Sequence, residues 1–282
     1  MLQRIRAESI FHPSDFSDAS EVAFAHALKI ALLAGAQLNI LHVTDESHAG
    51  WSEFPGVREM LERWQLIPEG SPKSAVAKLG IDVRKVLASG PNPVTACLGF
   101  LEKHPSDLIV LAVRQGDGRM RWLEKSVGKP LARRAGEVTL FIPHGLEGFV
   151  SRADGTVSLR NILVPVTNKP RPEPALEAAA RLIGSLGVVE GTVTLLHVGP
   201  ENEMPAMTLP EDTGWHWQRW VRAGDPEENI LQAANELRAD LIVMTTDGPD
   251  GFLDGLRGTT SERVLRKAHC PVACLPVGTF LG

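Results

Sequence analysis

A glycine loop in the second half of the chain carries the residue types that hold phosphate groups. Gly248 follows an apolar run that ends at Thr245-Thr246, and nine residues later Gly258-Thr259-Thr260 begins a segment of helical period. The first N–H groups of a helix have no partner inside it, and with the positive end of the helix dipole they attract phosphate oxygens. Glycine also lets a ligand approach the backbone closely. We predict a phosphate site here, although the same residues also suit a strand–loop–helix junction without a ligand.

The elements around this loop occur twice in the chain. Five segments of the first half recur in the same order in the second, which predicts a tandem duplication. The matched segments are 9–15 with 161–167, 41–43 with 196–198, 89–91 with 223–225, 107–110 with 240–243, and 141–143 with 274–276. We predict a first domain over 1–146, a linker over 147–160, and a second domain over 161–282. The linker sets Asp-Gly between two alternating runs, which is typical of a hairpin.

In each half, short apolar runs alternate with segments of helical period, the pattern of βαβ units around a parallel sheet. In the first half, strands are predicted near 8–14, 38–43, 81–87, 107–112 and 138–142. The first helix is expected to start at the capping-box pattern Asp18-x-x-Glu21 and to end at Gly35. A one-sided apolar stripe predicts the corresponding helix of the second half over about 175–186.

The two halves differ most between their second and third strands. The first half has a predicted helix from about Val57 to Leu66, whereas the second has only Gly199 to Gly214. This shorter stretch predicts no full helix, so one face of that sheet would lack a cover. Trp215, Trp217 and Trp220 on the next strand are expected to pack on that face. Stacking on a base or contact with a partner protein is the alternative.

Composition excludes several classes of protein. The chain is 43% hydrophobic and 22% charged with a net charge of -5, which indicates a globular protein without the basic surplus that would favour nucleic acid. No apolar run approaches the roughly 18 residues that span a bilayer, so we expect a cytoplasmic protein. The three cysteines, Cys97, Cys270 and Cys274, fit a reducing compartment. His269-Cys270-x3-Cys274 predicts buried apolar side chains and no metal site, because four strand residues span about 13 Å.

The chain resembles the universal stress protein family in several motifs. They are a strand ending in Pro-x-Asp (13–15), Leu-His-Val on the second strand, Gly-Asp-Pro (224–226), Asp-Leu-Ile-Val-Met (240–244), and the glycine loop followed by Ser-Glu-Arg-Val-Leu-Arg-Lys-Ala-His-Cys-Pro-Val (261–272). The resemblance covers both halves. It implies an α/β fold of two tandem doubly wound Rossmann-like domains, each a five-stranded parallel sheet flanked by helices, with ATP in some members at the switch between the first and fourth strands.

The resemblance also implies an internal interface. The last strands of the two halves, Val138 to Ile142 and Val272 to Val277, are expected to meet, so that one chain forms an intramolecular pseudo-dimer. Pairing of two chains into a homodimer is left open, and the sequence does not identify protein partners.

The second half keeps most of the family's nucleotide motif. ATP-binding members carry Gly-x2-Gly-x9-Gly-(Ser/Thr), which this half matches except that Thr245 replaces the first glycine. Those members also end their first strand with an aspartate, where this half has Thr167, which can form hydrogen bonds but supplies no charge. The resemblance implies ATP with Mg²⁺. The implied nucleoside contacts are Pro165, Thr167, Val198 and Thr245, and the implied phosphate contacts are Gly248, Gly258, Thr259 and Thr260.

The first half has lost the opposite part of the motif. Asp15 stands at the family's aspartate position, but Ala112, Gln115 and Lys125 stand at the glycine positions, followed by Ser126. Asp15 and Ser126 are the weaker candidate ligand contacts, and Asp15 is alternatively a turn or capping residue. The loop is basic, so it either holds an anion by side-chain charge or is a solvated surface beside a degenerate site.

We predict a non-enzymatic stress-response regulatory protein that binds ATP or a related nucleotide in its second domain. The alternatives are an interaction module that binds no nucleotide and an ATP-consuming enzyme. No catalytic base or nucleophile is evident in the motif. His42 and His197 occupy equivalent strand positions and are expected to be satisfied core or cleft histidines, since neither has a nucleophile beside it in sequence.

Overall fold

The computed structural model describes residues 7–44, 56–90, 92–113, 138–209, 214–246 and 260–276. The strands within these ranges are β1 (Ser9–Pro13), β2 (Gln37–Thr44), β3 (Asp82–Ser89), β4 (Leu108–Val113), β5 (Val138–Pro143), β6 (Asn161–Pro165), β7 (Thr192–Val198), β8 (His216–Arg222), β9 (Leu241–Thr246) and β10 (Val272–Pro276). The helices are α1 (Asp18–Ala34), α2 (Val57–Arg63), α3 (Ser74–Ala77), α4 (Pro93–Lys103), α5 (Glu173–Leu186), α6 (Pro226–Leu237) and α7 (Thr260–Lys267). The elements predicted from hydrophobic periodicity in the first half are confirmed, with boundaries that differ by a few residues.

The ten strands form one sheet in the order β3-β2-β1-β4-β5-β10-β9-β6-β7-β8. Within each half the five strands are parallel. The halves join where β5 and β10 pair antiparallel, with Phe141 opposite Val272 and Thr139 opposite Cys274. The expected α/β fold and the expected meeting of the last strands are therefore confirmed. The domain boundaries themselves stay a prediction.

Each face of the sheet carries one hydrophobic core that continues through both halves. One face is covered by α1, α2 and α5, whose apolar residues pack with Ile10 and Leu38 of the first half and Val164 and Val193 of the second. The other face is covered by α4, α6 and α7. In each half the strand order changes direction between two neighbouring strands, β1 and β4 or β6 and β9. Doubly wound sheets bind ligands at the carboxyl edge of such a switch point.

Helix α1 starts one position earlier than the sequence motif suggested. Its N-cap is Ser17, whose hydroxyl oxygen accepts the N–H of Ser20 at 3.3 Å. Asp18 is the first helical residue, so the expected capping box Asp18-x-x-Glu21 is wrong; the Glu21 N–H donates to the Ser17 carbonyl at 3.0 Å instead. The predicted C-terminus is confirmed, because Gly35 adopts φ +67, a left-handed conformation that glycine reaches without a Cβ penalty.

The segment between the halves is a packed hairpin. Val150 and Val157 form an antiparallel bridge, and Gly155 turns the chain with φ +71. Phe149 and Val150 are fully buried, and the Trp64 indole N–H donates to the Arg152 carbonyl at 3.2 Å. The hairpin predicted from Asp-Gly is confirmed, and its contact with the first half excludes a loose linker.

The short crossover of the second half covers its sheet without a full helix. A single 3₁₀ turn spans Glu201–Glu203 in the described part of this segment. Met204, Met207 and Leu209 then pack against the core together with Trp217. The expectation of an uncovered face is wrong, because extended chain with long apolar side chains replaces the missing helix.

The three tryptophans of this region divide between the two faces of the sheet. Trp215 is 6% exposed and donates its indole N–H to the Val188 carbonyl at 3.1 Å. Trp217 packs on the same core as Trp215, whereas Trp220 packs on the opposite one. The Arg222 guanidinium lies 4.9 Å from the Trp220 ring. The interpretation as packing residues holds for Trp215 and Trp217, but Trp220 lies on the other face.

Candidate functional site

Strand order brings the predicted nucleoside contacts to one edge of the second half. Pro165 ends β6, Val198 ends β7, and Thr245 is the penultimate residue of β9. In the parallel pair β6–β9, Ile162 lies opposite Leu241. The same register, continued four residues further along both strands, places Thr245 opposite Val166. Thr167 follows on the same edge and is exposed, whereas Val198 is half-buried and Thr245 is buried. These four residues therefore share the carboxyl edge of β6, β7 and β9, where doubly wound sheets bind ligands.

The phosphate side of the prediction is described only at its last residue. Gly248, Gly258 and Thr259 lie outside the described residues, as does Ser126 of the first half. Thr260 is the first residue of α7 and is half-buried. Its hydroxyl oxygen accepts a long hydrogen bond of 3.5 Å from Arg263.

Two ion pairs fix α7 against α6. Glu227, in the first turn of α6, pairs with Arg263 at 3.1 Å and with Lys267 at 2.7 Å. The Glu227 side chain is 11% exposed, so one largely buried carboxylate holds two cations of α7. This contact sets the position of the helix that follows the glycine loop. Sequence reasoning missed this contact, since Glu227 and Arg263 are distant in the chain.

His197 contributes a polar atom that sequence reasoning missed. The side chain is 5% exposed, and its Nδ1 lies 3.2 Å from the Val166 carbonyl oxygen. A carbonyl can only accept, so Nδ1 donates and the lone pair of the neutral ring is on Nε2. Among the described residues, Nε2 has no hydrogen-bond partner. The expectation that this histidine has its hydrogen bonds satisfied therefore holds for Nδ1 and not for Nε2.

A glycine lies directly beside that buried atom. Gly199 follows β7, and a Cβ built on it would lie 3.0 Å from His197 Nε2. Asn168, which follows Thr167, is exposed and donates from Nδ2 to the Glu203 carbonyl at 2.8 Å. The site therefore combines an apolar floor, threonine hydroxyls and one buried acceptor, a set that can receive a polar, donor-bearing ring system.

The equivalent edge of the first half is occupied by its own side chains. Asp15 is exposed, and its Oδ1 accepts the backbone N–H of Ser17 at 3.0 Å and the Ser17 hydroxyl at 2.5 Å. The Phe16 ring stacks on His42 with 3.8 Å between ring centroids and 16° between planes. Phe16 adopts φ +61, and His42 Nδ1 donates to the Ser14 carbonyl at 2.8 Å. The carboxylate that the family motif would offer to a nucleoside thus forms part of a local turn.

A hydroxyl–imidazole pair lies below this edge but is sealed from solvent. Ser20 Oγ lies 3.4 Å from His12 Nε2 and 3.0 Å from Ser14 Oγ, and His12 Nδ1 lies 3.0 Å from the Val110 carbonyl. Complete burial lowers the pKa of His12 to about 4. Because the ring is buried and each nitrogen already has a partner, these residues join β1, β4 and α1 and do not form a nucleophile–base pair accessible to a substrate.

The cysteines behave as apolar residues. Burial raises the pKa of Cys270 and Cys274 to about 12, so their thiols stay protonated at neutral pH. Within the described ranges, no group of three or more His, Cys, Asp or Glu side chains could hold a metal ion. No helix in the same part of the chain is long and apolar enough to cross a membrane.

Comparisons with known proteins agree on one family. The model of the universal stress protein family matches residues 8–140 and 216–276. A universal stress protein of Methanocaldococcus jannaschii is 47% identical over 74 residues, which is 26% of this chain and 44% of that protein. The matched part is therefore less than half of that relative's own length.

Solved structures with the same fold extend over nearly the whole chain. The crystal structure of a universal stress protein from Archaeoglobus fulgidus covers 95% of this chain and 96% of its own, with a TM-score of 0.61 and 19% identity. A putative universal stress protein from Pseudomonas aeruginosa covers 96% of this chain and 93% of its own, with a TM-score of 0.59 and 15% identity. At these identities the likeness concerns the fold. With the matched family segments in both halves, the chain belongs to the universal stress protein family, as a tandem member.

Proposed function

We propose that this protein is a non-enzymatic, cytoplasmic regulatory protein of the stress response that binds one nucleotide, ATP with Mg²⁺ as the expected ligand, in its second half. The observation that carries the proposal is the asymmetry between the two carboxyl edges. In the second half the edge presents Thr167, Val198 and the buried acceptor of His197 beside a glycine. In the first half a Phe16–His42 stack takes the corresponding place.

The residue types support ATP on chemical grounds. Val198 and Pro165 supply apolar surface for a base, and the threonine hydroxyls can bond to a ribose or a phosphate. Gly248, Gly258, Thr259 and Thr260 remain the predicted phosphate contacts, because a glycine loop that precedes a helix offers unpaired N–H groups to an anion. Mg²⁺ would be held by the phosphates, since no carboxylate cluster for it occurs among the described residues.

The second candidate is an interaction module that binds no nucleotide. It is favoured by the antiparallel β5–β10 junction, which gives one chain the ten-stranded sheet of a pseudo-dimer, and by the closed edge of the first half. In that case the duplication would serve to build the paired architecture within one chain. The surface of this pseudo-dimer would be recognised by another protein or by a second copy of the chain.

Substitutions made in one half of the chain at a time distinguish the nucleotide-binding protein from the interaction module. Equilibrium dialysis with millimolar ATP and Mg²⁺ is expected to show binding to the parent protein. Gly258→Glu should weaken it at least about tenfold, because a carboxylate would stand where phosphates bind. The matched control is Lys125→Glu, which places the same residue at the equivalent position of the first half and should leave the affinity unchanged. No binding to the parent, or equal binding to Gly258→Glu, would favour the interaction module.

A further inference from the structure

His197 has a hydrogen-bond acceptor without a donor in the part of the chain that the structure describes. Its ring is 5% exposed, and Nδ1 donates to the Val166 carbonyl, which leaves the Nε2 lone pair unused. Buried acceptors in folded proteins almost always have a donor, because water is lost from them on folding and must be replaced. An exception beside a candidate site therefore suggests that a ligand supplies the missing donor.

The place of Nε2 in the fold agrees with this suggestion. A Cβ at Gly199 would lie 3.0 Å from Nε2 and 3.4 Å from Cε1 of His197. Nε2 thus lies beside Gly199, the residue that follows β7, at the carboxyl edge to which Val198 and Thr167 also belong. Any side chain at position 199 would press directly on Nε2, and glycine avoids this contact.

The first half has the same histidine, half-buried and stacked on an aromatic ring. His42 Nδ1 donates to the Ser14 carbonyl at 2.8 Å, as His197 Nδ1 does to the Val166 carbonyl. There the Phe16 ring stacks on the imidazole. In the second half the residue equivalent to Phe16 is Asn168, whose amide is turned to the Glu203 carbonyl. The two copies therefore share the anchored imidazole and differ in what lies over it.

We propose that His197 Nε2 accepts a hydrogen bond from the nucleoside part of the bound nucleotide, either from the 6-amino group of adenine or from a ribose hydroxyl. The inference rests on the proposed nucleotide site. A 6-amino group and a hydroxyl both donate, whereas the 6-oxo group of hypoxanthine would bring a second lone pair against Nε2. His197 would then select ligands that carry a donor at this place.

Ligand analogues combined with two variants test the inference. ATP, ITP, 2′-deoxy-ATP and 3′-deoxy-ATP are titrated, with Mg²⁺, into the full chain by calorimetry. The parent is expected to bind ATP about tenfold more tightly than the analogue that lacks the donor. The analogue that binds more weakly shows whether the donor belongs to the base or to the ribose. His197→Asn keeps a donor for the Val166 carbonyl but removes the acceptor, so the preference should fall to about equality. His197→Gln, whose amide oxygen can reach the place of Nε2, should keep most of it.

The control and the adverse results separate this inference from the proposed function. His42→Asn makes the same exchange in the first half and should leave the ATP preference unchanged. If the parent binds ATP but discriminates among the analogues no better than His197→Asn does, the inference is wrong and the nucleotide site stands. If the parent binds none of the four nucleotides, both are wrong. Thermal unfolding of each variant shows whether a changed ratio comes from a folded protein.

Discussion

Replacement of His26 by leucine is expected to lower the free energy of unfolding by about 3–5 kcal/mol. His26 is completely buried in α1, and its Nδ1 donates to the Val22 carbonyl at 2.8 Å. Its Nε2 accepts the backbone N–H groups of Phe149 at 3.0 Å and Val150 at 3.2 Å. Leucine would leave both buried N–H groups of the hairpin without an acceptor, each at a cost of roughly 1–3 kcal/mol. Urea unfolding followed by circular dichroism measures the loss.

Two further variants show whether the acceptor is the cause. His26→Gln brings an amide oxygen to about the place of Nε2 and should recover much of the loss. His144→Leu, at an exposed histidine, should change stability by less than about 0.5 kcal/mol. A His26→Leu protein as stable as the His144→Leu protein would show that the hairpin does not depend on this contact.

Acid should destabilise the protein at a pH well above that at which carboxylates titrate. Burial lowers the pKa of both His12 and His26 from 6.5 to about 4 in the folded protein. Between these values the unfolded chain binds protons that the folded chain does not, so stability falls as the pH falls. The contribution of each histidine is complete above about pH 6.5 and is lost by about pH 4. The full loss is about 3 kcal/mol per histidine, of which about 2 kcal/mol is gone at pH 5.

Unfolding free energies at pH 7, 6 and 5 measure this dependence. His26→Gln has no titrating ring at position 26, so its stability should fall by about 2 kcal/mol less than that of the parent between pH 7 and 5. Parallel curves for the two proteins would show that the His26 ring titrates in the folded state much as it does in the unfolded chain.

Much of the fold follows from local pattern. Alternating apolar runs placed the strands of the first half, the apolar stripe placed α5, and the left-handed requirement at Gly35 placed the end of α1. That the last strands of the two halves meet was implied by family resemblance and is confirmed, and the structure adds that β5 and β10 pair antiparallel. The strands, the helix stripe and the end of α1 depend on residues close in sequence, so the pattern of a single chain reveals them.

Contacts between distant residues account for what the sequence missed. His26 looks like an ordinary polar residue on an apolar helix, and the two hairpin N–H groups that it accepts are more than a hundred positions away. The Phe16–His42 stack depends on the turn at Phe16 with its positive φ. The cover supplied by Met204 and Met207 depends on how an aperiodic segment crosses the sheet. In the candidate site, the motif predicted which residues lie at the edge. The unused acceptor of His197 is visible only in the structure, because it depends on Nδ1 being bonded to the Val166 carbonyl.

The position of a bound nucleotide is the feature that separates the two halves most clearly. A crystal structure of the full chain grown with millimolar ATP and Mg²⁺ would show it directly. We expect one nucleotide per chain between the carboxyl ends of β6 and β9, with the nucleoside beside Thr167 and Val198 and the phosphates toward the start of α7. Density for a nucleotide between β1 and β4, or no nucleotide density at either edge, would contradict the proposed function.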